Sequence, residues 1–290
     1  MMFKTISAQR HQLAEGPHWC AETARLFWVD IPMQQVWCWD SLTGQHQHWP
    51  MPEKVSAVFT TDQKNALLVV LATRVAVFNC QTHHLETLCT LDDERPSNRG
   101  NDAKVAPDGS LWVGTMDDNE TLCQGRLWRV TADGQKQCLL DNVGIANTFA
   151  WDEPRGCMYF ADSMKGQIHR FPYPAFRDVR TESAFARTPD GSGPDGSTID
   201  EDGALWNAQW DGQRIVRYLP DGSEDRVLSL PFARPTSCAF GGPEGKTLFI
   251  TSASVGLEDQ LAEQPLAGHV VALEVTHRGA PNRPFALRRS

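Results

Sequence analysis

PDGSTIDEDGALW, residues 194–206, carries two Asp-Gly pairs seven residues apart. Asp-Gly is a strong signal for a tight hairpin turn, and two turns so close leave almost no strand between them. One of the pairs therefore does something else. Asp202-Gly203 stands just ahead of the apolar run LWNAQW (205–210), as Asp108-Gly109 stands just ahead of LWVGTM (111–116). Runs of the same kind recur as LFWVDI (26–31), LLVVLA (67–72), MYFADS (158–163) and LFITSA (248–253), and their starts lie 41, 44, 47, 47 and 43 residues apart. Asp202-Gly203 is thus the turn of a repeat, and Asp195 is not.

Each run is followed by a second strand-like segment: VWCWD from Val36, VAVFN from Val75, RLWRV from Arg126, QIHRF from Gln167, RIVRY from Arg214 and HVVALEV from His269. Gly or Asp-Gly marks many of the connections, and no 3.6-residue period runs through them, so the chain reads as a β-meander. Units of about 45 residues with four strands each are propeller blades. Six of them account for nearly all of the 290 residues, which predicts an all-β, six-bladed β-propeller with four antiparallel strands per blade, one domain over 1–290 without linkers. A β-sandwich of this length has no reason to repeat so evenly.

Composition bounds the function. A formal charge of −9 opposes a binder of nucleic-acid phosphates, which needs clustered Lys and Arg. The N-terminus shows no signal-peptide pattern and no apolar run reaches the ~18 residues of a membrane span, so a cytoplasmic protein is expected. The eight cysteines include no C-x-x-C pair and read as reduced structural thiols.

Counting back ten or eleven residues from the six runs reaches Glu15, Ser56, Asn101, Asn147, Asp195 and Ser237, every one with a polar side-chain oxygen. The first strand of each propeller blade lines the central channel, so equivalent positions of different blades converge on one axis. Two carboxylates packed there without a counter-charge must protonate or separate. A divalent cation resolves the conflict, and all-oxygen ligation selects a hard ion such as Ca²⁺, Mg²⁺ or Mn²⁺. Polar residues at strand starts also serve as simple caps and Asx-turns, and the spacing alone leaves that alternative open.

Other motifs carry little. There is no G-x-S-x-G elbow. GGPEGKT from Gly241 is one residue short of a P-loop and leads into a strand, so it reads as a hairpin turn. The pairs His46/His48 and His83/His84 read as exposed loop, and Trp28, Trp112, Trp128 and Trp206 as core between blades.

Five motifs taken in order resemble the senescence marker protein, regucalcin and gluconolactonase family of six-bladed propellers, over essentially the whole chain. They are LAEGPHW (13–19) with FWVDIP (27–32), RGNDAK (99–104) with WVGTM (112–116), IANTFAW (145–151) with YFADS (159–163), PDGSTID (194–200) and PTSCAFGG (235–242). The resemblance implies a metal carboxylate at Glu15, a metal amide at Asn147, a second metal carboxylate at Asp195, and substrate contacts from Arg99 and Asn101. Ser56 and Ser237 follow from the spacing alone, as pocket lining. The chain departs from the family in having Thr148 and Ala103 where Gly is usual. It also places Asn119 at the position where some relatives carry a substrate-contacting Glu.

The implied activity is hydrolysis of a sugar lactone to its aldonic acid. One divalent ion, Ca²⁺ first and Mg²⁺, Mn²⁺ or Zn²⁺ as alternatives, would polarise the carbonyl and acidify water. Asp195 is then the candidate to take the water's proton. A small sugar lactone is the expected partner, with no nucleic acid and no membrane. The alternatives are a non-catalytic calcium-binding propeller or a hydrolase of another ester such as a phosphotriester.

Overall fold

The computed structural model describes residues 2–287. Its strands form six four-stranded antiparallel sheets. In the first five blades the chain runs from the inner strand outwards: Ala14–Cys20, Arg25–Asp30, Gln35–Asp40 and His46–Pro50 make blade 1. The inner strands of blades 2 to 6 are Val55–Thr60, Asn98–Val105, Ala146–Asp152, Gly193–Ile199 and Pro235–Gly241. Each packs against the inner strands on either side, and that of blade 6 packs against blade 1, which closes the ring. Blade 6 takes its outermost strand from the other end of the chain, Lys4–Thr5 pairing with Val271–Glu274. This pairing ties the two ends of the ring together within one sheet. Among the described residues helix is confined to the short 3₁₀ turns Ser163–Lys165 and Glu258–Gln260. No helix among the described residues is long and apolar enough to cross a membrane.

The apolar runs that revealed the repeat are the second strands of the blades, nearly continuous in hydrophobic side chains because both faces are covered by neighbouring blades. Trp28, Trp112 and Trp206 occupy these strands in blades 1, 3 and 5 and are almost wholly buried. Each indole N–H finds an acceptor: His11 Nε2 at 3.1 Å, Ser110 Oγ at 3.2 Å and Asp200 Oδ2 at 2.8 Å.

Gly203 sits in a turn at φ +83°, whereas Asp195-Gly196 lies inside the inner strand of blade 5. A Cβ at Gly196 would stand 2.1 Å from Ser237 Oγ of blade 6, so glycine is there for close approach of two inner strands. One expectation is corrected. His46 and His48 belong to the outer strand of blade 1, where His46 Nε2 lies 2.8 Å from the Ile6 carbonyl and His48 stacks on Trp37.

Residues 279–285 run across the far ends of the inner strands. Gly279 bridges Asp200, Asn282 Nδ2 donates to the Trp19 carbonyl, and Phe285 bridges Thr61 with its ring fully buried. The residues counted from the repeat stand at the opposite end.

Candidate active site

All six inner strands break register at or beside the counted residue: at Glu15, Ser56, Asn101, Asn147, Asp195 and Ser237. A bulge re-aims the side chain it carries. Four of the six, Glu15, Asn101, Asn147 and Asp195, line one cavity of about 250 Å³ at the channel mouth, together with Arg99. Ser56 and Ser237 do not. Ser56 Oγ donates to the Asn101 carbonyl at 2.7 Å and Ser237 packs on Gly196, so both are spacers between neighbouring inner strands and not pocket lining.

Electrostatics single out the acid pair. Burial, and then the neighbouring Asp102 carboxylate, pushes Glu15 up to about 8. Burial, and then Glu15 and Asp102, pushes Asp195 well above the usual carboxylate range. Asp102, deeper in the channel, is raised to about 6 by burial, against the pull of Lys104. Three carboxylates crowd the axis, and Lys104 is the cation set among them. The three carboxylates outnumber the one cation among them, an excess of negative charge that a divalent ion could offset.

The donor chemistry fits a hard divalent ion. Neither His nor Cys lines the cavity, and Glu15, Asp195 and the Asn147 amide offer oxygen. Among the described residues no three His, Cys, Asp or Glu side chains, the crowded acids included, are arranged to hold a metal ion on their own. Asn147 Nδ2 is engaged, donating to Ser163 Oγ at 2.8 Å, while Oδ1 receives only a long 3.4 Å contact from Asn101 Nδ2.

The structure supplies what replaces the glycines. Thr148 adopts φ +65°, a left-handed conformation that a β-branched residue rarely takes. Its hydroxyl compensates: Oγ1 donates to the Asp195 carbonyl at 2.6 Å and accepts from Asn207 Nδ2 at 3.1 Å, linking blades 4 and 5 directly behind the site. Thr148→Val keeps the shape and removes this buried link, so it is expected to cost about 2 kcal/mol in denaturant unfolding. An unchanged midpoint would show that the hydroxyl carries none of the strain. Ala103 sits buried in the ladder opposite Val113, after the bulge that re-aims Asn101.

Arg99 is held as a fork. Nε donates to Asp118 Oδ1 at 2.8 Å, and Nη1 donates to the Gly100 carbonyl at 3.0 Å and to Asn101 Oδ1 at 2.7 Å. Asp118 also accepts from Lys54 Nζ at 2.6 Å. Although burial opposes it, Lys54 and Arg99 hold this carboxylate below its ordinary range. Nη2 has no partner among the described residues. Asn119 is exposed and does not line the cavity; Glu120, one residue on and turned by φ +57°, does. Counting along a loop missed this, because the turn and not the sequence offset decides which side chain faces inward.

Two further residues were legible in the repeat and were missed. Asp30 and Asp162 each stand fifteen residues after Glu15 and Asn147. Asp30 accepts from the backbone N–H groups of Gln12 and Leu13, and Asp162 from those of Gly144 and Ile145, so each carboxylate pins the loop that delivers a cavity side chain. Around this polar floor Ile31, Met116, Met164 and Trp210 form an apolar collar.

The family model of the SMP-30/Gluconolactonase/LRE-like region matches residues 13–254. An L-arabinolactonase of Azospirillum brasilense is 38% identical, the match covering 97% of this chain and 94% of the relative. A regucalcin of Gallus gallus is 31% identical over 97% of both chains. The crystal structure of a calcium-binding regucalcin from Agrobacterium tumefaciens str. C58 superposes with a TM-score of 0.89 at 25% identity, covering 97% of this chain and 96% of that one. On the matched residues and on the propeller that they build, the chain belongs to the SMP-30/gluconolactonase/LRE-like family.

Proposed function

We propose that the protein hydrolyses a sugar lactone with the help of one divalent cation held by Glu15, Asn147 and Asp195, Ca²⁺ being the first candidate. The observation that carries the reading is the acid pair Glu15 and Asp195 in a cavity lined with oxygen donors, both raised by desolvation and by neighbouring carboxylates, Asp102 acting on Glu15 and Glu15 with Asp102 on Asp195. The lactonase and calcium-binding relatives support it. Bound there, such an ion supplies polarisation of the lactone carbonyl and a lowered pKa for water.

The side chains do the rest. Asp195, which lines the cavity with Glu15, is the proton acceptor for the attacking water once the cation has displaced its own proton. Arg99 offers Nη2 to a substrate oxygen while its other nitrogens stay fixed. Glu120 accepts from a sugar hydroxyl, the role that the sequence placed at Asn119. The apolar collar covers the less polar face of the sugar ring and thins the water around the reacting ester.

Arg99→Ala is expected to raise KM by about 10- to 100-fold with kcat changed far less, as loss of a charged hydrogen bond used for ground-state binding does. An unchanged KM would remove Arg99 from the substrate site. The reading as a whole is tested by proton release from a panel of aldonolactones on metal-stripped protein, with Ca²⁺, Mg²⁺, Mn²⁺ or Zn²⁺ restored one at a time. Turnover of lactones that vanishes on stripping and returns with an oxygen-seeking ion is expected. Turnover confined to phosphotriesters, or no turnover with cation bound, would favour the other ester hydrolase or the binding protein.

A further inference from the structure

Resting on the cation reading above, we propose that Ser163 is the positioning residue that locks the Asn147 amide with its oxygen toward the cation. An asparagine amide is nearly symmetric in shape but not in chemistry: one end accepts and the other donates, and a flip would aim an N–H at a cation. The hydrogen bonds around Ser163 exclude the flip. Ser163 Oγ donates its one proton to the Pro194 carbonyl at 2.5 Å, and a carbonyl can only accept. Toward Asn147 the same Oγ must therefore accept, which obliges Asn147 to present Nδ2, at 2.8 Å. Oδ1 is left for the cavity.

The device also joins two ligands. Pro194 immediately precedes Asp195, so one hydroxyl couples the amide of blade 4 to the carboxylate strand of blade 5. Ser163 is itself fixed, its backbone N–H bonded to the Ile145 carbonyl at 2.9 Å, while Asp162 beside it holds the Gly144 and Ile145 amides. From the far side Asn101 points Nδ2 at Asn147, an orientation fixed in turn by Arg99, which can only donate to Asn101 Oδ1. Both neighbours thus demand the same amide orientation.

The test is a double-mutant cycle read by calorimetric titration of Ca²⁺ into the metal-stripped full chain, with thermal melting alongside. Ser163→Ala is expected to weaken Ca²⁺ binding by about 10- to 100-fold, the usual cost of losing a partner that orients a metal ligand. In an Asn147→Asp background the ligand has no wrong end, and adding Ser163→Ala is expected to change affinity less than about threefold. Ser163→Cys, which keeps the size and loses most of the acceptor strength, serves if the alanine variant fails to fold. An equal loss in both backgrounds, or none beside Asn147, overturns the proposal while leaving the cation site standing. A wild-type chain that takes up no divalent cation overturns both.

Discussion

Asp195→Asn is expected to abolish lactone hydrolysis, lowering kcat by about 10³-fold or more, and at the same time to make the metal-stripped protein more stable. Loss of a positioned base alone removes about 10² to 10⁴ in rate, and the same change takes one of two carboxylates from the cation. The gain in stability follows from the sign of the shift. Burial, Glu15 and Asp102 all raise the Asp195 pKa, so above its ordinary range the folded state is penalised for carrying this carboxylate. Asparagine keeps the shape without the charge. Thermal melting in chelator at pH 7 to 8 should therefore place the variant above the wild type, and saturating Ca²⁺ should reverse the order. A variant that is inactive because it is unfolded, or one that melts lower in chelator, would mean that Asp195 is a structural acid and not a site of stored repulsion.

The second large effect is the coupling of cation to pH. Glu15 is raised to about 8 from an ordinary value of 4.5, and Asp195 moves in the same direction. Between these limits the folded, cation-free protein holds more protons than the unfolded chain, so its stability falls as pH rises toward 8. His18 acts the other way: burial, then Lys104, lowers it to about 3, so its contribution rises with pH up to its ordinary value of 6.5. Above that value the acids act without this opposition. The difference between wild type and Glu15→Gln, which carries the same His18, gives the Glu15 share together with the part of the Asp195 shift that Glu15 causes. A cation displaces the protons that the acids hold. Apparent Ca²⁺ affinity is accordingly expected to strengthen between pH 6 and 8, by up to about tenfold per pH unit for each proton displaced, with proton release on binding. Calorimetry in buffers of different ionisation enthalpy measures that release directly; pH-independent binding without it would show that the pair is already ionised or that the ion is held elsewhere, and either outcome contradicts the coupling.

The propeller was readable because six apolar runs recur 41 to 47 residues apart, and a sheet covered on both faces has to write its second strand in hydrophobic residues. The same ruler reached four cavity residues, because equivalent positions of inner strands meet at one axis. It also reached Ser56 and Ser237, which share the register and the bulge yet turn to neighbouring strands. Spacing gives the position along a strand and not the direction of a side chain after a bulge. The loop residue fell outside its reach, since the left-handed turn at Glu120 brings that side chain inward and leaves Asn119 exposed. Asp118, Ser163 and Thr148 are defined by partners 19, 16 and 47 residues away. No local pattern announces such contacts. Asp30 and Asp162 are different, because their constant offset from Glu15 and Asn147 was present in the repeat.

The claim on which the rest depends is that side chains from blades 1, 4 and 5 grip one ion. Crystals soaked in Tb³⁺, a luminescent and strongly scattering substitute for Ca²⁺, test it through the anomalous signal. A single strong peak in the cavity, within about 2.3 to 2.6 Å of oxygens from Glu15, Asn147 and Asp195 and absent from crystals of Asp195→Asn, is the predicted result. A peak elsewhere, or one in the cavity that survives the substitution unchanged, would contradict the account.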